Sequence, residues 1–124
     1  IKNHMSHQIS LQQAIDLTTR YRKEKDQILK PEYAGKNLLA LSETYDRSAF
    51  EELLKQEGCV KIRAYFGMDE NKNIKLLFVG ANDKNEDMLP SDMQATAGGG
   101  ASIQDIGQRC PPLCPPPGPL NPQP

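Results

Sequence analysis

The chain has few of the side chains that catalytic and metal sites most often use. It contains two histidines, His4 and His7, and three cysteines, Cys59, Cys110 and Cys114. A Ser-His or Cys-His nucleophilic pair needs a base within hydrogen-bond distance, yet no histidine follows His7. His7 itself lies in a terminus that we expect to fray. These residues predict a protein that is not an enzyme.

Other absences exclude further classes of protein. No apolar run approaches the roughly 20 residues that a spanning helix needs, and no signal-peptide pattern is visible, so we expect a cytoplasmic protein without a membrane span. The net charge of −1 argues against nucleic-acid binding, which depends on clustered cations. Gly98 to Gly100 follow no predicted strand and open no helix, so no phosphate cradle and no cofactor are expected.

The composition of the 124 residues allows one small folded domain. Ile1 to His4 is expected to be an expression remnant, with Met5 as the native start. Gly-rich segments form flexible linkers, and dense proline favours extended polyproline II over helix or sheet. The predicted segments are a flexible N-terminus at 1–8, an α+β domain at 9–90, a Gly-rich linker at 91–109 and a proline-rich, Cys-containing tail at 110–124.

The region from Gly58 to Asn82 predicts a β-hairpin. Its first arm alternates with period 2 between an apolar face, which we expect in the core, and a polar face, which we expect in solvent. The apolar face comprises Val60, Ile62, Ala64 and Phe66, and the polar face comprises Lys61, Arg63 and Tyr65. The second arm, Ile74 to Ala81, is apolar on both faces and predicts an interior strand. A loop of about four residues should join the arms.

Two helices and a short strand precede the hairpin. Ser10 and Gln13 have capping-box spacing, so the first helix should begin near Leu11 and end at Lys30, before Pro31. The apolar run within 36–45 predicts a strand at Asn37 to Ser42.

The second helix should begin within two residues of Arg47, with Asp46 or Ser48 at its N-cap. Gly58 lies where a left-handed residue would close this helix. The fold class is therefore α+β: two helices packed on a small, about three-stranded, mainly antiparallel sheet, with a proline-rich tail.

Lys61, Arg63 and Tyr65 form the first candidate binding surface. Their alternation could present cations and an aromatic ring to an anionic or peptide ligand. Tyrosine rings also pack against proline-rich segments, so the ligand could be the chain's own tail in cis. A solvent-exposed face without a ligand, or a face covered by the tail or first helix, is favoured over these.

The cysteines leave three alternatives. Cys59, Cys110 and Cys114 together could ligate a metal if the tail folds back. A local disulfide between the tail cysteines needs Cα atoms within about 7 Å, which an extended Pro-Pro spacer and a reducing cytosol oppose. We favour unpaired thiols, with Cys59 a small buried side chain. The candidate tail-recognition residues are Cys110, Pro111, Pro112, Leu113 and Cys114.

Two stretches carry a resemblance to known proteins. ETYDRSAFEELLKQEGCVKIRAYFGMDENKNIKLLFVGANDKNEDML and GQRCPPLCPPPGPLNP resemble a group of small uncharacterised bacterial proteins that combine this core with a Cys-Pro-Pro-x-Cys-Pro tail. The resemblance covers roughly residues 9 to 122, and its most specific pieces are Gly58-Cys59, Ile62-Arg63-x-Tyr65 and the tail. It implies that the tail belongs to the protein, and it implies no catalytic residue.

We therefore expect a non-enzymatic protein-interaction module. Its tail either braces the domain or is displayed to a protein partner. One alternative is a metal- or redox-dependent protein that uses the tail cysteines. Another is a leader domain that presents a Cys/Pro-rich tail to a modifying enzyme.

Overall fold

The computed structural model describes residues 7–90, 102–105 and 107–122. These residues form two compact units, one reaching Lys36 and including the chain from Pro115 onward, the other from Asn37 to Cys114. The fold class is α+β, as predicted. The supposed expression remnant at residues 1–4 and most of the predicted linker, 91–101, lie outside the described residues.

The first unit contains helix α1, Leu11–Glu24. The predicted capping box is present: Ser10 Oγ accepts from the Gln13 N–H (3.0 Å), and Gln13 Oε1 accepts from the Ser10 N–H (2.8 Å). The predicted end at Lys30 is wrong. Beyond Glu24 the backbone changes to a tighter turn, because the Gln27 N–H donates to the Glu24 carbonyl (2.9 Å).

The end of the proline-rich tail belongs to this first unit. Gly118 and Asn121 exchange backbone hydrogen bonds in a short bridge, and the Asn121 side chain donates to the Pro115 carbonyl (3.2 Å). The Arg22 guanidinium of α1 donates to the Leu120 carbonyl (3.1 Å). The tail is therefore tied to α1, and the prediction of an extended segment without sheet pairing is wrong.

The second unit contains the sheet. Its elements in order are β1 Ser42–Thr44, α2 Arg47–Leu54, β2 Lys61–Met68, β3 Ile74–Ala81, β4 Asp87–Met88, β5 Ile103–Gln104 and β6 Gln108–Cys110. β3 pairs with β2 on one side and with β4 and β5 on the other, all antiparallel, while β1 and β6 form a separate antiparallel pair. Among the described residues the main sheet has four strands, where about three were predicted, and β5 and β6 occupy residues that the sequence assigned to the linker and tail.

The hairpin matches its prediction closely. β2 and β3 pair from Lys61 with Ala81 to Met68 with Ile74, and β3 is an interior strand. The connecting loop contains five residues between the strands, Asp69 to Asn73. Asp69 Oδ1 holds this loop by accepting from the N–H groups of Asn71 and Asn73, both at 2.9 Å.

The strand predicted at Asn37 to Ser42 is misplaced. Asn37 has a left-handed φ of 56°, and β1 begins only at Ser42. The backbone between Asn37 and Ser42 forms hydrogen bonds with two different segments. The Leu38 carbonyl accepts from the Ile74 N–H (2.8 Å), and the Leu41 N–H donates to the Cys110 carbonyl (2.7 Å). A continuous ladder is therefore not formed there.

Helix α2 begins at Arg47 as predicted, after Asp46 as N-cap. It ends at Leu54 with Lys55 as C-cap, so Gly58 does not close the helix. Gly58 does adopt a positive φ of 88°, but it does so in the turn that leads into β2.

The buried apolar residues of the described ranges are Leu38, Leu53, Val79, Ala81 and Cys110. Leu53 belongs to α2, which packs on one face of β3, whereas Val79 and Ala81 lie on the other face of that strand. Three aromatic rings pack together beside α2, because Phe78 of β3 makes edge-on contacts with Tyr45 and Phe50, each at a centroid distance of 4.9 Å. These contacts fix α2 over the middle of β3.

The predicted core face of β2 is exposed for most of its length. Val60 is 60% exposed, Phe66 79% and Met68 62%. An eight-residue helix is about 12 Å long, whereas an eight-residue strand is about 27 Å long. α2 therefore covers Phe78 but cannot cover the whole of the strand beside it.

Candidate functional site

The predicted polar face of β2 is bound to a carboxylate of the same unit. Arg63 lies directly opposite Val79, and Asp87 lies opposite Ala81, so all four side chains share one face. The Arg63 guanidinium makes an ion pair with Asp87, and the Tyr65 hydroxyl donates to the same carboxylate. We call Arg63, Tyr65 and Asp87 the Asp87 cluster.

The loop before β4 also accepts hydrogen bonds from Arg63. Its guanidinium also donates to Asn85 Oδ1 (2.5 Å) and to the Asn85 carbonyl (3.2 Å). Asn85 has a left-handed φ of 68°, which asparagine tolerates better than most residues. The cluster thus joins β2 to β4 across β3.

Mutual hydrogen bonding determines the charges in the cluster. The Tyr65 hydrogen bond, then Arg63, lowers the pKa of Asp87 below its ordinary value. The bond to Asp87 in turn raises the pKa of Tyr65 and that of Arg63. At neutral pH the carboxylate is ionised, the phenol is protonated and the guanidinium is charged, so the three groups are held in fixed protonation states.

Two residues of the first candidate surface thus have an acceptor within the same unit, because Asp87 accepts from both Arg63 and Tyr65. Their role as a binding surface stays a prediction. Lys61 is exposed and lies opposite Ala81, at the end of the strand. The first residue of the predicted tail, Cys110, belongs to β6, and β6 pairs with β1 and not with β2.

A second polar group lies on the outer edge of β3, by which we mean the edge away from β2. Glu43 Oε2 accepts from the Leu76 N–H (3.3 Å), and the Tyr45 hydroxyl donates to the Leu76 carbonyl (2.6 Å). The Tyr45 hydroxyl also lies 3.1 Å from Glu43 Oε1. Two side chains thus pair with one backbone residue as a neighbouring strand would, and we call Glu43 and Tyr45 the edge clamp.

The edge clamp is closely packed. Burial, followed by the charge of Glu43, raises the pKa of Tyr45 well above its ordinary range, so its hydroxyl remains a donor. A Cβ added to Gly107 would lie 2.6 Å from both Glu43 Oε1 and Tyr45 Cε1. A side chain at residue 107 would therefore clash with Glu43 and Tyr45, and glycine avoids that clash.

Arg109 of β6 secures the start of β3. Its guanidinium donates to the carbonyls of Asn37 (3.1 Å), Leu38 (3.0 Å) and Ile74 (3.4 Å), and it approaches Asn73 Oδ1 (3.4 Å). These contacts hold the residues before β1, the hairpin loop and β6 together.

Cys110 and Cys114 form a disulfide bond, with Cα atoms 4.5 Å apart. The interpretation of unpaired tail thiols is wrong, and its premise of an extended spacer fails. The Leu113 N–H donates to the Arg109 carbonyl (2.9 Å), which closes a turn through Pro111 and Pro112. The Cys110–Pro111 and Pro111–Pro112 peptide bonds are both cis. We call residues 110–114 the clasp.

The three-cysteine metal site does not form here, because two of its thiols are joined to each other. Cys59 is the free thiol, and its Sγ donates to the Lys61 carbonyl (3.3 Å). Across the described ranges, no group of three or more His, Cys, Asp and Glu side chains has an arrangement that could hold a metal ion.

Several important residues were missed from the sequence. Asp87 lies in a uniformly polar run, and Glu43 and Arg109 lie in segments whose strands are three residues long. None of them has a local pattern that identifies its partner. The one available signal was Gly107, a glycine next to a short polar strand, which often marks a close approach.

No family model matches the chain, and searches of curated proteins and of solved structures return no match. Within the part of the chain that the structure describes, no helix has the length and apolar character needed to cross a bilayer.

Proposed function

We propose that this chain is a non-enzymatic protein-interaction module whose tail braces the sheet and displays the clasp to a protein partner. The observation that carries this proposal is the clasp itself. Cys110 is fully buried in the β1–β6 pair, whereas Leu113 at the other side of the same closed turn is 57% exposed. An apolar side chain is thus presented on a fixed turn.

The bracing role is supported by β6. Its residues pair with Ser42 to Thr44, and Arg109 reaches the start of β3. The preceding segment contributes β5, which pairs with Phe78 and Val79. A chain truncated after Pro90 would lose β5, β6 and the Arg109 contacts, and we expect its melting temperature to fall.

The display role follows from the cost of binding. A flexible segment loses conformational entropy when a partner immobilises it, and a closed turn has already lost most of that freedom. The disulfide and the Leu113-to-Arg109 hydrogen bond close this turn at its base. Pro112 and Leu113 are exposed, so they are available as contact residues.

The electrostatics support binding rather than catalysis. A general acid or base works best with a pKa near the operating pH. In the Asp87 cluster the pKa of the acid is lowered and that of the phenol is raised, which moves both away from neutrality. In the edge clamp the pKa of Tyr45 is raised as well.

Selection from a random peptide library displayed on phage would test the clasp, with the full chain as bait. We expect recovered peptides to bind the wild type and to bind Leu113→Ser at least tenfold more weakly. Leu89→Ser is the matched control, because Leu89 is similarly exposed (54%) but lies outside the clasp. Recovered peptides that bind Leu113→Ser as well as the wild type would contradict the proposal.

The disulfide favours a second candidate, a redox-dependent protein in which reduction releases the clasp. It also favours an oxidising compartment over the cytoplasm, since cytosolic disulfides are seldom structural. The same pairing weighs against a leader domain, because a tail that is already folded and cross-linked is poorly placed to enter a modifying enzyme.

A further inference from the structure

β2 is the edge strand of the main sheet. β3 pairs with β2 on one side, and β4 and β5 occupy the other. In an antiparallel pair, alternate residues direct their N–H and C=O groups away from the partner strand. Leu76 directs its groups to Glu43 and Tyr45 on the outer edge, so Phe66, which lies directly opposite Leu76, directs its groups outward on the β2 side.

The same alternation applies to Ile62 and Ala64. Their outward N–H and C=O groups, like those of Phe66, have no hydrogen-bond partner among residues 7–90, 102–105 and 107–122. β2 is eight residues long and contains no proline. A long edge strand without proline readily pairs with another strand. On the outer edge of β3, by contrast, the backbone groups are paired with β4, β5 and the edge clamp.

The strand that carries these open groups also carries an exposed apolar stripe. Its residues within β2 share one face of the sheet and are Ile62, Ala64, Phe66 and Met68. Phe66 is 79% exposed and Met68 62%. The backbone edge and the apolar stripe thus offer hydrogen bonds and apolar area to the same incoming strand.

We infer that β2 binds β2 of a second copy of this chain, antiparallel, with a two-fold axis through Ala64. A two-fold axis perpendicular to the sheet keeps the apolar stripes of both copies on one face. Ala64 then faces Ala64 of the second copy and Ile62 faces Phe66, while Met68 faces Val60, the residue just before β2. The first two pairings exchange both of their N–H···O bonds, because the outward groups belong to those residues.

The charges are compatible with this register and exclude one of its neighbours. With the axis at Ala64, Lys61 faces Gly67 and Arg63 faces Tyr65, so no cation lies opposite another cation. Moving the axis to Ile62 would place Lys61 directly opposite Arg63, and like charges in that position destabilise a sheet.

An axis at Phe66 fails because it would place Ile62 against Glu70, which lies in the hairpin loop. The Ala64 register matches apolar with apolar residues and separates the cations. An axis at Tyr65, which would place Ile62 opposite Met68 and Ala64 opposite Phe66, does so as well, and cross-linking at Ala64 distinguishes the two registers. The matching of the strand with itself in both registers supports a second copy as the partner.

A contact made by one strand edge belongs to the small interface class, below about 1,200 Å² in total, which is characteristic of weak complexes. We expect a reversible dimer with a dissociation constant of about 10 to 100 μM. Sedimentation equilibrium on the full chain between about 1 and 500 μM covers that range.

Ala64→Pro is the sharpest variant. The substitution removes the N–H of residue 64, which points away from β3, and leaves the hydrogen bonds to β3 intact. Proline is also tolerated on edge strands. We expect dimerisation at least tenfold weaker than in the wild type. Ala64→Val is the matched control, because it keeps the N–H and favours strand geometry. Circular dichroism verifies the fold of both variants, and an Ala64→Pro chain that is folded and dimerises like the wild type would overturn the proposal.

Cross-linking tests the register without disturbing the edge. In a Cys59→Ser background, Ala64→Cys should form an intermolecular disulfide, because hydrogen-bonded antiparallel pairs have Cα atoms about 5.5 Å apart. Ile62→Cys mixed with Phe66→Cys should cross-link, whereas either alone should not, since identical residues there lie about 14 Å apart along the strand.

A wild type that stays monomeric to about 500 μM, with no Ala64→Cys cross-link, would overturn the inference. The clasp is not involved in this contact, so Leu113→Ser should dimerise normally. The two proposals therefore fail separately: loss of peptide binding concerns the clasp, and loss of dimerisation concerns β2.

Discussion

Replacing Tyr45 with phenylalanine is the most direct test of how the outer edge of β3 is held. The substitution keeps the ring that contacts Phe50 and Phe78 and removes only the hydroxyl. That hydroxyl donates to the Leu76 carbonyl at 2.6 Å and lies 3.1 Å from Glu43. The variant therefore leaves a half-buried carbonyl and a carboxylate oxygen without this donor.

The expected cost follows from those contacts. A hydrogen bond contributes about 0.5 to 1.5 kcal/mol net, and leaving a buried acceptor unpaired costs about 1 to 3 kcal/mol. Because Tyr45 and Leu76 are half-buried and water can reach the site in part, we expect the free energy of unfolding to fall by about 1 to 2 kcal/mol. The melting temperature should fall by about 4 °C for each kcal/mol.

Urea denaturation of the wild type, Tyr45→Phe, Glu43→Gln and the double variant would measure this. Because the two side chains pair with the same backbone residue, their effects should be non-additive. Tyr45→Phe with wild-type stability, or strictly additive effects, would refute the edge clamp.

The same variant makes a prediction about pH. Burial raises the pKa of Tyr45 above its ordinary value of 10.0, so the neutral hydroxyl contributes its full stability below about pH 10. That contribution is lost as the pH rises above 10 toward the pKa of the folded state. We expect the wild type to lose more stability than Tyr45→Phe between about pH 9 and 11, and parallel curves would contradict the assignment.

Three further predictions concern other contacts. Gly107→Ala should lower the free energy of unfolding by about 1 to 3 kcal/mol through overpacking, whereas Gly118→Ala, which meets no atom within 4 Å, should be near neutral. Replacing Cys110 and Cys114 with serine should cost about 2 kcal/mol for so short a loop, and reductant should shift the melting temperature of the wild type but not of this variant. The lowered pKa of Asp87 contributes stability above about pH 4 that is lost as the pH falls, so Asp87→Asn should have a flatter stability curve between about pH 2 and 5.

The hairpin could be predicted because its information is local. Alternating residues at 60–66, an apolar run at 74–81 and turn-forming residues between them specify both strands. The starts of both helices could be predicted for the same reason, because the Ser10–Gln13 capping box and the polar residues before Arg47 are short-range signals.

The rest of the fold depends on contacts between distant residues. β4 and β5 are two residues long, too short to have a period, and they exist because Gly80 and Phe78 offer open backbone groups. The clasp was missed because proline density suggested an extended chain, whereas a turn closed by the Leu113 N–H brings its cysteines together.

The contacts of the predicted binding surface could not be foreseen for a related reason. The alternation in β2 correctly separated two faces, but it could not show which face the rest of the chain would cover. Asp87 occupies the polar face, and α2 is too short to cover the apolar one. The exposure of Phe66 is therefore a result of element lengths, not of its own sequence context.

The outer edge of β3 has consequences for the order of events during synthesis. Its hydrogen-bonding groups are completed by residues from before the hairpin, by β4, and by β5 and Arg109, which leave the ribosome after the hairpin. Because long-range pairing is slow and exposes strands meanwhile, a nascent chain would leave part of this edge unpaired until β5 and Arg109 are translated. A stalled or prematurely terminated chain should consequently be a better substrate for chaperones and proteases than the finished one.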